Sequence, residues 1–144
     1  MPAAPWGGLT YLADTSAWAR ADRVEHEWAA GYRSGQVATC EMVAFELLFS
    51  ARDGADFDRR AESLDSLPQA PVTPDVLVLA REALRQLAHR HALFHRSVGV
   101  VDLVIAAAAT SAGFGVLHYD GDFDTLAEVL PFESRWLAPP GSLD

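Results

Sequence analysis

Four acidic residues occupy positions where a charged side chain is expensive to bury. Asp14 ends the short apolar run LTYLAD, and Asp120 ends the run GVLHYD. Glu46 lies within the largely apolar stretch CEMVAFELLFSAR, and Asp102 opens the apolar run DLVIAAAAT. Because desolvation disfavours the charged form of a carboxylate, acids in such places call for a compensating partner.

A bound metal ion is the partner that would explain all four acids together. Carboxylates that converge on one point repel one another, and a hard divalent cation removes that repulsion. Mg²⁺ and Mn²⁺ prefer carboxylate and water oxygens. The sequence has a single cysteine, Cys40, and no Cys/His cluster suited to zinc. A carboxylate-held cation can activate water and stabilise attack on a phosphodiester, so the pattern favours hydrolytic chemistry.

Each acid also has a structural interpretation. Asp14 can cap the helix that follows it, Asp102 is an ordinary acid of a first helical turn, and Asp120 in YDGDFD fits turn chemistry. Glu46 is harder to explain in this way, because its neighbours at helical spacing are mostly apolar. Glu41 competes for the same role, but five helical positions separate the two residues by about 140°. Glu41 falls in a first turn and needs no functional explanation, so Glu46 is favoured.

Short apolar strands alternate with helices along the chain. Strands are predicted over residues 9–14, 36–39, 70–73, 115–119 and 134–138, and helices over 15–20, 24–34, 40–52, 57–67, 74–95, 101–112 and 122–130. Thr15 or Ser16 is expected to cap the first helix. Such alternation predicts an α/β fold with a mostly parallel sheet covered on both faces. Since the carboxyl ends of parallel strands meet at one edge, Asp14 and Asp120 are expected there together.

Composition sets limits on the class of protein. The 144 residues are enough for one domain, with a core over about 9–138 and a loose tail over 139–144. The net charge is −9, which argues against a generic nucleic-acid binder unless bound metal offsets a cluster of acids. With one cysteine, no charged signal-peptide start and no apolar run longer than LVIAAAA, we expect a cytoplasmic protein with no membrane association.

The ordered set of motifs resembles the PIN-domain ribonucleases and is most similar to the VapC-type toxins of bacterial toxin–antitoxin pairs. The motifs are ADTSA after a short strand, a Glu within CEMVAFELLFSAR, then VDLVIAAAAT and LHYDGDFDTLA, and they span residues 10–137. The resemblance implies a three-layer α/β/α PIN-like fold and a Mg²⁺- or Mn²⁺-dependent endoribonuclease acting on structured RNA, often tRNA. It also implies a homodimer and a cognate antitoxin whose tail enters the site.

The resemblance also assigns roles to individual residues. The four acids of the family fall on Asp14, Glu46, Asp102 and Asp120, with Asp122 as a further candidate metal ligand. The hypothesis is that these acids hold one or two cations and that Glu46 orients the attacking water. The small hydroxyl beside the first acid falls on Thr15 or Ser16, which would hydrogen-bond Asp14 or a water on the metal.

An acidic protein needs cationic groups to hold RNA phosphates. Arg81, Arg85 and His89 recur at four-residue spacing on the long helix, although a solvated helix face is the plainer explanation. Arg96 lies in the segment that leads to Asp102. We therefore take Arg85 and Arg96, with Thr15, as candidate substrate-binding residues.

Other classes of protein explain less of the sequence. A receiver domain and a haloacid-dehalogenase-type phosphatase both need a lysine, and the chain has none. The phosphatase also needs an Asp where Ser16 stands. A catalytically inactive PIN-like module that binds a partner protein or RNA stays open, as does a nuclease acting on DNA. Metal-dependent cleavage of a panel of RNAs would separate the first of these from the toxin.

Overall fold

Four short parallel strands and the helices between them make up the described chain, residues 4–144 of a computed structural model. The strands are β1 (Tyr11–Ala13), β2 (Val37–Ala38), β3 (Gly115–His118) and β4 (Ser134–Trp136). The helices are α1 (Thr15–Trp18), α2 (Glu25–Arg33), α3 (Glu41–Phe49), α4 (Gly54–Asp65), α5 (Pro74–Arg90), α6 (Val100–Ala112) and α7 (Asp122–Leu126). Short 3-10 turns cover Ala21–Val24 and Phe94–Arg96. The predicted domain limits, 1–144, include residues 1–3, which lie outside the described part.

The sheet has the order β2-β1-β3-β4, and every neighbouring pair is parallel. Successive residues of a strand face opposite sides of a sheet, and two buried clusters follow this alternation. Leu12 packs on one side with residues of α5 and α6, whereas Tyr11 and Ala13 pack on the other side with residues of α1 and α4. The predicted α/β/α arrangement, a mostly parallel sheet with helices on both faces, is confirmed.

The expected strand over residues 70–73 is absent from the described chain. Only one parallel bridge, between Thr39 and Gln69, forms beside β2. The Ala70 N–H donates to the Thr39 carbonyl over 2.8 Å, but the partner segment leaves the sheet where α3 begins at Glu41, so the ladder extends no further. The sheet therefore has four strands rather than five.

Several helix boundaries also differ from those predicted: α3 ends at Phe49 rather than at residue 52, and α7 ends at Leu126 rather than at residue 130. Asp14, not Thr15 or Ser16, caps α1, because its Oδ2 accepts the Ser16 N–H over 3.0 Å. Asp53 caps α4 by accepting the Asp56 N–H over 2.8 Å, so α4 begins at Gly54, three residues before the predicted start at residue 57. The long helix α5 ends at Arg90 rather than at residue 95.

The last residues are less loose than the sequence suggests. The Leu143 N–H donates to the Tyr119 hydroxyl over 2.9 Å, and the Leu143 side chain packs against the cluster around Tyr11. Arg23 donates to the Leu143 carbonyl, and Arg20 lies 4.0 Å from the Asp144 carboxylate. An apolar side chain and a tyrosine hydroxyl in need of a partner explain this attachment.

No helix within residues 4–144 combines the length and the apolar character that crossing a membrane requires.

Candidate metal centre

The sheet topology brings three of the acids to one edge. Asp14 directly follows β1, and its N–H donates to the Leu117 carbonyl of β3 over 2.9 Å. Asp120 follows β3 by two residues, and Asp102 lies in the first turn of α6. Parallel pairing of β1 with β3 therefore places Asp14 and Asp120 at adjacent strand ends, where ligands of parallel α/β sheets gather.

Asp102, Asp120 and Asp122 form a tight group. Each can offer one carboxylate oxygen such that the three oxygens lie within 4.8 Å of one another. Two backbone amides orient the group, because the Asp122 N–H donates to Asp120 Oδ1 over 3.0 Å and the Gly99 N–H donates to Asp122 Oδ2 over 3.1 Å. Such a spacing of oxygens suits a single hard cation.

The pKa of Asp102 is strongly raised. Burial is the largest cause, and together with the negative charges of the neighbouring acids it raises the pKa of Asp102 to about 7. These neighbours, in order of decreasing effect, are Asp14, Asp120, Asp122 and Glu46. A carboxylate surrounded by four others is a site that a cation would stabilise.

The side chain of Asp14 supplies the test of whether a metal fits. Its Oδ2 accepts two hydrogen bonds from Ser16, from the N–H over 3.0 Å and from the hydroxyl over 2.6 Å. Its Oδ1 is buried and has no hydrogen-bond partner among the described residues. A buried carboxylate oxygen without a donor is costly, whereas it is a suitable ligand for Mg²⁺ or Mn²⁺. The donor set therefore fits an oxygen-ligated cation.

Ser16 fastens Asp14 to the end of β3. Its hydroxyl donates to Asp14 Oδ2 and accepts the Tyr119 N–H over 2.9 Å. This single hydroxyl therefore holds the first acid in register with the strand end that carries Asp120. Ser16 therefore positions the Asp14 carboxylate, whereas the Thr15 hydroxyl contacts Glu46 instead.

Glu46 lies at the outer side of the centre. The Thr15 hydroxyl donates to Glu46 Oε2 over 3.1 Å, which ties α3 to the start of α1. The expectation that an apolar helix stripe desolvates Glu46 is wrong. Glu46 is exposed, and so are its neighbours Phe45 and Phe49, at 58% and 92%. Leu47 and Leu48 pack against the core, whereas the face of α3 that carries Phe45, Glu46 and Phe49 is exposed, so the apolar residues around Glu46 do not remove its water.

The candidate substrate-binding arginines lie outside the group of acids. Arg85 is on the exposed face of α5 and pairs with Glu82 over 3.2 Å, in line with a solvated face. Arg96 is exposed in the 3-10 turn before α6 and makes no ion pair within residues 4–144. Sequence reasoning missed Arg20, whose guanidinium donates to the Ser16 carbonyl over 3.2 Å and lies 4.4 Å from the Tyr119 ring.

Gly99 is a further residue that sequence reasoning missed. A Cβ at this position would lie 3.1 Å from Asp102 Oδ2, so a side chain here would crowd the acids. Gly99 is also the residue before the first turn of α6, where it donates its N–H to Asp122. A glycine three residues before an acid that opens a helix was the signal available in the sequence.

Asp124 is excluded from the group by its own hydrogen bonds. Its Oδ1 accepts the Ser134 hydroxyl over 2.6 Å, and its Oδ2 accepts the Trp136 indole N–H over 2.8 Å. Partial burial tends to raise the pKa of Asp124, but the two hydrogen bonds outweigh it and lower the pKa. The neighbouring His118 is fully buried, and burial lowers its pKa to about 4, so the ring is neutral near pH 7.

An all-parallel α/β/α sheet that gathers acids at the carboxyl ends of its central strands defines a class of metal-binding domain, and sequence comparison names the family. The profile of the PIN domain matches residues 11–129, and the chain belongs to that family.

The curated relatives cover almost the whole chain. Ribonuclease VapC18 of Mycobacterium tuberculosis is 39% identical over 137 residues, which is 94% of this chain and 100% of the relative. Ribonuclease VapC51 of the same organism is 33% identical over 138 residues, which is 94% of this chain and 98% of the relative.

Solved structures share the fold. A VapBC-5 toxin–antitoxin structure from Mycobacterium tuberculosis matches with a TM-score of 0.61 at 24% identity, covering 90% of this chain and all of the other. VapBC2 from Rickettsia felis, bound to a DNA fragment from its promoter, matches with a TM-score of 0.67 at 13% identity and the same coverage. At these identities the matches support the architecture alone.

Proposed function

We propose that this protein is a Mg²⁺- or Mn²⁺-dependent endoribonuclease that acts as the toxin of a type II toxin–antitoxin pair. The observation that carries the proposal is the group formed by Asp102, Asp120 and Asp122, together with the buried, unpartnered Oδ1 of Asp14, whose charge acts on Asp102 from outside that group. The names of the curated relatives, which are ribonucleases, agree with hydrolysis of RNA. A ribonuclease of this kind would act in the cytoplasm, where its RNA is.

In this proposal the chain supplies binding and orientation. Asp14, Asp102 and Asp120 would hold the cation, with Asp122 as a further ligand, and Ser16 fixes the direction of the Asp14 carboxylate. When bound, the cation would lower the pKa of a coordinated water and offset charge on the scissile phosphate. Glu46, oriented by the Thr15 hydroxyl, would accept the proton of the attacking water from the solvent side of the site.

The substrate is proposed to be structured RNA, with tRNA as the first class to test. Arg96 and Arg20 are exposed or partly exposed cations near the start of α6 and the end of α1. Each could neutralise a phosphate of the RNA backbone, which acidic surroundings would otherwise repel. Arg85 is the weaker candidate, because Glu82 already pairs with it.

Cleavage of RNA by the Asp14→Asn variant tests the proposed activity. Wild-type protein should cut members of a panel of structured RNAs in Mg²⁺ or Mn²⁺, and excess EDTA should stop the reaction. Asp14→Asn should reduce cleavage to background while its circular dichroism stays that of the wild type, because asparagine can still accept the Ser16 N–H. Asp75→Asn is a matched control, since Asp75 is an exposed acid in the first turn of α5. Wild-type levels of cleavage by Asp14→Asn would contradict the proposal.

An antitoxin is the proposed partner, and an apolar groove offers it a place to bind. The groove has a volume of about 430 Å³ and is lined by Trp18, Tyr32, Leu47, Arg59, Arg60, Ser63 and Leu64. The Trp18 indole N–H is buried and has no acceptor within the described residues. A partner segment with an apolar side chain and an acidic residue for Arg59, which also lies 3.7 Å from Asp56, would suit this groove. Structural neighbours are described as VapBC toxin–antitoxin systems, which agrees with such a partner.

An inactive module that binds a partner through the same fold is the alternative. It would retain the groove and the acids but would not cleave RNA under any metal condition. The RNA panel therefore distinguishes the two functions, provided that the metal-bound state is confirmed by a separate binding measurement.

A further inference from the structure

A continuous hydrogen-bond chain links the edge strand β4 to the acids of the metal centre. His118 Nε2 lies 2.7 Å from the Ser134 hydroxyl, and that hydroxyl lies 2.6 Å from Asp124 Oδ1. At the other side of the ring, His118 Nδ1 lies 3.2 Å from the Asp120 backbone nitrogen. The chain therefore runs from Asp124 through Ser134 and His118 to Asp120.

The direction of every hydrogen bond in this chain follows from the groups at its two ends. The Asp120 backbone N–H can only donate, so His118 Nδ1 must accept and carry no proton. The proton of the neutral ring is then on Nε2, which donates to the Ser134 oxygen. Ser134 in turn donates to Asp124, a carboxylate that also accepts the Trp136 indole N–H over 2.8 Å. All donors and acceptors are matched, so the chain has a single arrangement of protons.

Packing holds the imidazole in this orientation. The ring is fully buried, stacks on Phe123 with centroids 5.1 Å apart, and meets the edge of Trp136 at the same distance. Register places His118 directly opposite Trp136 in the pairing of β3 with β4. Ser134 and Trp136 are two residues apart on β4, and both donate to Asp124 in the first turn of α7.

We propose that Asp124, Ser134 and His118 are positioning residues that aim the carboxylates of Asp120 and Asp122 at the cation. This inference rests on the proposed metal centre. The His118 ring holds the backbone of Asp120 from one side, and the Asp122 N–H holds its carboxylate from the other. Because Asp124 accepts hydrogen bonds from Ser134 and Trp136, it holds the first turn of α7, which includes Asp122, against β4. None of the three is among the residues proposed to hold the cation, and hydrogen bonds occupy both oxygens of Asp124.

A substitution at Ser134 breaks this series of hydrogen bonds and frees the backbone of Asp120 without removing a proposed metal ligand. In Ser134→Ala the buried Nε2–H loses its acceptor and Asp124 Oδ1 loses one of its donors. The ring and the start of α7 would both shift towards other partners, which would weaken the hydrogen bond that holds the Asp120 N–H. The expected result is weaker metal binding, because residues that orient metal ligands typically contribute about 10- to 100-fold in affinity.

Calorimetric titration of metal-free protein with Mn²⁺ tests this inference. Ser134→Ala should bind Mn²⁺ at least about 10-fold more weakly than wild type, and Ser134→Thr, which keeps the hydroxyl, should bind close to wild type. Ser66→Ala is the matched control, because the Ser66 hydroxyl bonds only the nearby Ser63 carbonyl. RNA cleavage by Ser134→Ala should recover at high Mn²⁺ concentration, whereas a purely structural defect would not respond to metal.

Two further results decide the matter. Unchanged Mn²⁺ affinity in a folded Ser134→Ala variant would overturn the inference. If that variant fails to fold, Trp136→Phe gives the decision, since it removes one donor to Asp124 and keeps an aromatic ring against His118. Wild-type affinity in Trp136→Phe would then overturn it as well. Wild-type protein that binds no Mn²⁺ would contradict the proposed metal centre itself.

Discussion

Asp102 illustrates at the scale of one residue why the centre needs a cation. Its carboxylate is partly buried, and Asp14, Asp120, Asp122 and Glu46 all act on it with the same sign of charge. Folding therefore favours the protonated form of Asp102 until a cation is present. Metal binding should displace that proton, which links metal affinity and pH.

This linkage predicts how stability depends on pH in the absence of metal. The pKa of Asp102 rises on folding from its ordinary value of 3.8 to about 7. The folded state therefore holds the proton more tightly, and the contribution of Asp102 is fully present below pH 3.8 and is lost as pH rises through about 7. Allowing for solvent screening, the loss is on the order of 1–2 kcal/mol, or about 3–6 °C in Tm.

Thermal melts between pH 4 and pH 8 in EDTA measure this effect against the Asp102→Asn variant, which has no such proton. The wild type should lose stability relative to the variant as pH rises. Added Mg²⁺ should restore the stability of the wild type at pH 8 and do much less for the variant. Parallel pH profiles for the two proteins, with no effect of Mg²⁺, would show that Asp102 has an ordinary pKa and no cation.

At the scale of the elements, α2 is fixed to the sheet by a close contact between Gly31 and Trp6. Trp6 is 3% exposed and meets Trp28 and Tyr11 edge-to-face. A Cβ at position 31 would overlap the Trp6 ring. The Gln36 side chain fastens the same segment by donating to the carbonyls of Gly7 and Leu9.

Gly31→Ala should therefore destabilise the protein although alanine is the better helix former. The overlap with Trp6 should cost about 1–3 kcal/mol, more than the gain of up to about 1 kcal/mol in helix propensity. Chemical denaturation followed by circular dichroism measures the change. In a Trp6→Ala background the same substitution should be neutral or stabilising, because the ring is gone. A Gly31→Ala protein as stable as wild type would show that Trp6 does not occupy this position.

The elements also show how far the sequence predicts the structure. The alternation of apolar runs and helices predicted the parallel sheet, and the strand ends at Asp14 and Asp120 followed from it. Helical periodicity could not show that Phe45, Glu46 and Phe49 lie on an exposed face of α3 while Leu47 and Leu48 pack inward, so the environment of Glu46 was predicted wrongly. The link from Asp124 to His118 was beyond prediction, because it depends on the register between β3 and β4. The catalytic roles of the acids stay predictions.

At the scale of the whole molecule, the exposed face of α3 that carries Phe45, Glu46 and Phe49 is the candidate surface for self-association. Phe49 is 92% exposed and, with Phe45 and Glu46, lines a shallow depression beside the metal centre. Exposed aromatic residues of this kind are typical of protein–protein contacts. The homodimer expected from the sequence stays a prediction, and this surface is a candidate for its contact.

Phe49→Ser should therefore shift the protein from dimer towards monomer. Size-exclusion chromatography with light scattering at micromolar concentrations measures the mass of each variant. Val78→Ser is the matched control, because Val78 is also strongly exposed, at 69%, but lies on α5. A monomeric wild type would contradict the predicted dimer. A Phe49→Ser variant as dimeric as the wild type would show that the dimer contact lies on another surface.

The central claim is that separate parts of the chain meet to hold a hard divalent cation. Anomalous diffraction from crystals of the protein grown with Mn²⁺ measures this directly. The account predicts an anomalous peak within coordination distance of Asp14 Oδ1 and of carboxylate oxygens from the group Asp102, Asp120 and Asp122. An empty centre at saturating Mn²⁺, or a peak only at acids elsewhere on the surface, would contradict it.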